Sequence, residues 1–198
     1  MAVEDGANSR YDESKVKVLH LLKQPTEDNA SMSELVDDIV RAGKLGGKFM
    51  YRLALRSYAL QNDCLTYQET RKISKQDLGV ALQRSAIVNL ENKEYAKSTP
   101  REDLVNSAKR NEKRWHDKIT DLRPHFVICG GTFNAVRKAL NKPQPDATKT
   151  GMKYFREPKH HDHDIVYLDA YHPSARCSVA MVHTYLVESA KELYPGIK

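Results

Sequence analysis

The chain has 198 residues, 40% of them hydrophobic, and a formal net charge of +6, which is enough for one domain with a real core. No apolar run is long enough to span a bilayer, and the start lacks a basic-then-apolar leader, so a cytoplasmic protein is expected. Three cysteines, Cys64, Cys129 and Cys177, are odd in number and far apart, which excludes a disulfide framework or a Cys-type metal pair.

Residues 1–14 are polar and aperiodic, and read as a disordered tail ahead of a single domain over 15–198. The apolar run over 15–22 predicts a first strand, stopped by the turn-rich Lys23-Gln24-Pro25-Thr26-Glu27-Asp28-Asn29. Ser31 or Ser33 can cap a helix carrying Leu35, Val36, Ile39 and Val40. After a glycine- and lysine-rich break, helical spacing returns over 49–62 and a polar helix-like stretch runs over 67–84. Ala86-Ile87-Val88-Asn89-Leu90 predicts a second strand. Thr99, Pro100 and Glu102 then form the start signal of a long helix to about residue 122, which Arg123-Pro124 ends.

His125-Phe126-Val127-Ile128-Cys129 predicts a third strand, followed by the turn Gly130-Gly131-Thr132 and a short helix over 133–140. A short strand is expected over 152–155. The fourth main strand, over 164–171, leads into Tyr171-His172-Pro173-Ser174-Ala175-Arg176 and a last helix over 179–194. Strands alternating with helices at these spacings imply a mostly parallel sheet covered on both faces.

In such a sheet, ligands bind beyond the carboxyl ends of the strands. Four segments converge there: Lys23-Gln24-Pro25, Asn89, Gly130-Gly131-Thr132 and His172-Pro173-Ser174. An asparagine offers a donor and an acceptor together, which suits a nucleobase edge. A histidine can stabilise an oxygen that gains negative charge. The double glycine permits close approach of the backbone. Taken singly, each has a plainer explanation: a turn histidine, a strand-end asparagine, a common strand-to-helix turn.

Together, the strand ending in Asn89, the segment from Arg123 to Thr132 and the terminal His-Pro-Ser-Ala-Arg make the chain resemble the uracil-DNA glycosylase superfamily. The resemblance implies a three-layer α/β/α sandwich around a four-stranded, mostly parallel sheet. It also implies an enzyme that flips a damaged base out of DNA and hydrolyses its glycosidic bond, without metal or cofactor. His172 would stabilise the departing base anion, and Asn89 would read the base. Gln24, with Asp28, would position the water; Gln24 stands where the family carries Asp or Asn. Phe49 or Tyr51 would supply the aromatic face. Gly131, Thr132, Ser174 and Arg176 would hold DNA phosphates. The partner would be DNA containing a modified base, engaged by a monomer with no membrane contact.

Two other readings stay open: a catalytically inactive DNA-binding module on the same fold, and a nucleotide-processing α/β enzyme. The tip His160-His161-Asp162-His163-Asp164 reads better as a solvated loop than as a metal site.

Overall fold

A computed structural model of the chain describes residues 6–23, 32–43, 45, 47–91, 101–158 and 163–195. Its strands are β1 (Gly6–Ala7), β2 (Val18–Leu22), β3 (Ser85–Asn89), β4 (Phe126–Gly130), β5 (Asp146–Ala147), β6 (Lys153–Glu157) and β7 (Ile165–Ala170). They form one sheet in the order β1-β3-β2-β4-β7-β6-β5. The central strands β3, β2, β4 and β7 are mutually parallel; β1, β5 and β6 pair antiparallel. The expected four parallel strands are therefore the middle of a seven-stranded mixed sheet.

The central strands are apolar without interruption because both faces are covered. Leu19 and Leu21, Ala86 and Val88, Val127 and Cys129, and Ile165 and Tyr167 pack on one side with Leu104, Trp115, Ile119 and Phe133. Those partners come from α5 (Arg101–Arg110), α6 (Glu112–Leu122) and α7 (Phe133–Ala139). The alternate residues, among them Phe126, Ile128, Val166, Leu168 and Ile87, face the other side. There they meet α1 (Met32–Arg41), α2 (Gly47–Gln61), α4 (Lys75–Gln83) and α8 (Val179–Leu193). The four-residue α3 (Tyr67–Thr70) is set by a Thr66–Glu69 capping box, and Ser74 caps α4, so the predicted helix over 67–84 is two helices.

The helix predicted from Thr99 also splits, at Asn111. The Asn111 side chain donates to the Ser107 carbonyl at 3.1 Å, and the Trp115 indole N–H donates to the Ala108 carbonyl at 2.9 Å. The Ser107 carbonyl also keeps its bond from the Asn111 N–H, so the Trp115 side chain takes the carbonyl that the break frees, that of Ala108.

Residues 6–14 correct the expectation of a disordered tail. Gly6 and Ala7 pair with Ile87 and Ala86. The Asn8 amide donates to the Leu82 carbonyl at 2.8 Å, and Tyr11 is buried with its hydroxyl on the Leu122 carbonyl at 3.1 Å. A two-residue strand carries no periodicity that composition could register. Among the described residues, no helix is long and apolar enough to cross a membrane, and all three cysteines are free.

Candidate active site

The carboxyl ends of β4 and β7 meet at a tight point. A Cβ on Gly130 would stand 2.9 Å from Leu22 Cδ2 and 3.4 Å from Pro173 Cδ. Gly131 follows at φ +74°, a conformation that favours glycine. Its N–H donates to the Ala170 carbonyl at 2.9 Å, tying the β4 turn to the end of β7. The buried Thr132 hydroxyl donates to the Leu21 carbonyl at 2.8 Å, so this side chain braces the turn instead of facing a ligand.

His172 emerges two residues beyond β7. Its Nδ1 accepts the Ser174 N–H at 3.2 Å. A neutral imidazole bonded this way carries its proton on Nε2, which is then a donor. Partial burial holds the imidazole below its ordinary pKa, helped by the positive charges of Lys23 and Arg56. The loop is fixed from α2, whose Arg52 Nη1 donates to the carbonyls of Pro173 at 2.6 Å and Ala175 at 2.7 Å. Phe49, near the start of the same helix, lies beside the imidazole with ring centroids 5.8 Å apart and planes tilted by 36°.

A cavity of about 620 Å³ opens at this edge. His172 and Lys23 line it along with Phe133, Asn134, Met152 and Asp169. A pocket of this size with a mostly apolar wall and a few polar groups lies in the range of small-molecule sites. Asp169, near the end of β7, is the one carboxylate among the lining residues. Asn134 sits in the first turn of α7.

A second cleft, of about 480 Å³, lies behind the histidine loop. Phe49, Ser174 and Arg176 line it with Lys48 and Arg52. Ser174 and Arg176 are exposed there, as phosphate-facing groups would be.

The remaining predicted residues fall elsewhere. Asn89 closes β3, which lies three strand positions from β7, roughly 14 Å at ordinary strand spacing. It is fully buried, its carbonyl accepts from Arg114 at 2.7 Å, and it is not among the residues lining the His172 cavity. Tyr51 is half-buried against the apolar cluster of α1, α2 and α4, so of the two aromatic candidates only Phe49 stands at the histidine. Gln24 and Asp28 lie outside the described residues, as do His160, His161 and Asp162. His163 stacks on His125 at 4.0 Å. Among the described residues, no group of three His, Cys, Asp or Glu is placed to hold a metal ion.

Sequence reasoning placed Lys23 in a converging segment without a role and missed Arg52, Asn134 and Asp169 as site residues. Arg52 had a signal, being one helical turn from Phe49, but its target is main chain, which leaves no mark in sequence. Neither any family model nor any curated protein matches the chain.

Proposed function

We propose that the protein is a DNA glycosylase of the uracil-DNA glycosylase type, a cytoplasmic α/β/α enzyme that hydrolyses the bond between a modified base and its sugar. One observation carries the reading: an imidazole, with its Nδ1 occupied by a backbone N–H, borders a cavity of about 620 Å³ at the carboxyl edge of a parallel sheet.

The chemistry follows from that donor. As the C1′–N bond breaks, its electron pair passes to the base, whose carbonyl oxygen becomes negative. The Nε2–H of His172 donates to that oxygen, and a preset neutral donor is worth most where water is excluded. The sugar, left with oxocarbenium character, takes a water oxygen, and the water's proton leaves to a base. Asp169 on the cavity wall is one acceptor for it, and Asp28 is the acceptor the sequence nominates. Asn134, on the cavity wall, supplies the carboxamide that reads the base in place of the buried Asn89, and Phe49 braces the imidazole from behind. Ser174 and Arg176 take backbone phosphates.

The test is incubation of the purified chain with oligonucleotides carrying uracil, hypoxanthine, xanthine or a hypermodified pyrimidine, followed by alkali. Strand scission at the modified position is expected, and its absence with every substrate would refute the reading.

A further inference from the structure

The cavity beside His172 is larger and more apolar than a bare pyrimidine requires. It holds about 620 Å³, whereas a single six-membered ring fills an apolar cavity of about 150 Å³. Its large apolar side chains come from both faces of the sheet: Leu104 and Val105 on α5, Phe133 on α7, Met152 beside β6 and Val182 on α8. Gly131, Ala135, Gly151, Ala170 and Ala175 leave the room between them.

These walls are tied in place. Gly151 and Met152 belong to the turn between β5 and β6, and that turn is fastened to α8. The Thr148 and Thr150 hydroxyls each lie 2.9 Å from Ser189 Oγ, and the Lys149 N–H donates to the Glu192 carboxylate at 2.9 Å. Leu104, Phe133 and Ala135 are held in the apolar cluster that α5 and α7 share with the sheet. Water against such side chains makes few hydrogen bonds, so an apolar group that displaces it gains affinity.

We infer that the base taken by this site is an enlarged one, a pyrimidine that carries an apolar substituent of several carbon atoms. The inference rests on the glycosylase reading for the base itself; the volume and chemistry of the walls supply the substituent. In a uracil ring N1 holds the sugar, and the two carbonyls with the N3–H form the polar edge that His172 and Asn134 meet. C5 lies on the apolar edge, so a chain on C5 is the part left to cover Leu104, Val105, Phe133 and Met152. Thymine, with one methyl, gains least, and its pairing in a duplex opposes extrusion.

The experiment is isothermal titration calorimetry of the purified chain with free uracil, thymine, 5-ethyluracil, 5-propyluracil and 5-butyluracil. The dissociation constant is expected to fall about fourfold with each added carbon, the transfer value of a buried CH₂ group. The heat-capacity change of binding should grow more negative along the series. Val105→Trp, which fills the cavity from a half-buried position on α5, should level the series after the first carbon or two and leave uracil binding unchanged. Dissociation constants that stay flat or rise with chain length, or no binding by any member, overturn the inference. So does a series that survives intact in Val105→Trp; the wild-type series stands alone if that variant does not fold. Base release is scored separately on duplexes carrying uracil or 5-butyluracil. Release of uracil with a flat alkyl series would sink this inference and spare the glycosylase reading. A rising series with no base release from either duplex would do the reverse.

Discussion

Arg52 reaches from α2 to the main chain of Pro173, with 2.6 Å between its Nη1 and that carbonyl oxygen. The same nitrogen holds Ala175 at 2.7 Å, so one guanidinium fixes both sides of the turn that carries His172. Removing it in Arg52→Met should cost about 1.5–3 kcal/mol in urea unfolding, the usual range for a hydrogen bond to a charged group. If the turn is what aims the imidazole, kcat for base release should fall more than KM rises. A variant with full kcat would make Arg52 a purely structural residue.

His172→Ala should lower kcat for base release by about 10²–10³-fold, the scale of losing one preset donor to a developing oxyanion. Circular dichroism should be unchanged, since the side chain is only partly buried. His172→Gln keeps a donor and should recover part of the rate.

The two carboxamides make opposite forecasts. Asn134→Ala, at the cavity, should weaken base discrimination while leaving stability within about 1 kcal/mol, as for a partly buried polar side chain. Asn89→Ala, inside β3, should destabilise the fold by about 1–3 kcal/mol through a buried polar site. Relative kcat/KM on uracil and hypoxanthine substrates, with melting temperatures, separates reader from brace. A selectivity change in the Asn89 variant alone would return the reading role to that residue.

Gly130→Ala places a methyl 2.9 Å from Leu22 Cδ2 and 3.4 Å from Pro173 Cδ. Overpacking of this kind costs about 1–3 kcal/mol. The clash is with the movable end of Leu22, while Pro173 Cδ stays at contact distance, so stability should fall toward the lower end of that range and the histidine turn should hold its place. Adding Leu22→Val should restore part of the stability. Additive losses in the double variant would show that the two positions do not share the strain.

Acid should destabilise the protein before its carboxylates protonate. His20 is fully buried, its Nε2 2.8 Å from Ser57 Oγ, and burial lowers its pKa to about 3. His125 is lowered to about 4, mainly by burial and then by His163. Such groups bind protons in the unfolded chain first. Stability is therefore complete above the ordinary histidine value near 6.5 and is lost as pH falls below it, at up to about 1.4 kcal/mol per pH unit for His20. Glu157, lowered to about 2 by bonds from His116, Tyr167 and Lys142 against the opposing effect of burial, adds a loss between about pH 4.5 and 2. His116, raised by the same carboxylate, works the other way: its stabilising effect is whole below 6.5 and fades as pH rises through its folded value. Urea midpoints across pH should peak near neutrality, and His20→Gln should flatten the limb between pH 6 and 4. An unchanged limb would remove His20 as its cause.

The central strands were legible because burial on both faces leaves each an unbroken apolar run, and their parallel order followed from the intervening helices. Of the flanking strands, Lys153–Glu157 was legible as a short strand over 152–155, but Gly6–Ala7 and Asp146–Ala147 were not, since they are two residues each. At the site, His172 and the double glycine were readable from their place after strands. The grip of Arg52 on backbone carbonyls was not, nor was the approach of Asn134 and Asp169 to one cavity, because those depend on how far apart the strands that carry them stand.

The pairing of Gly6–Ala7 with β3 has a consequence for handling the molecule. It is a short cover over the outer amides of a strand whose every residue is buried. A chain trimmed to begin at Lys15, as composition alone would recommend, would bare that row as a template for intermolecular β-pairing. Aggregation during purification would then report a missing edge together with the loss of Tyr11 from the core, and say nothing about the histidine turn.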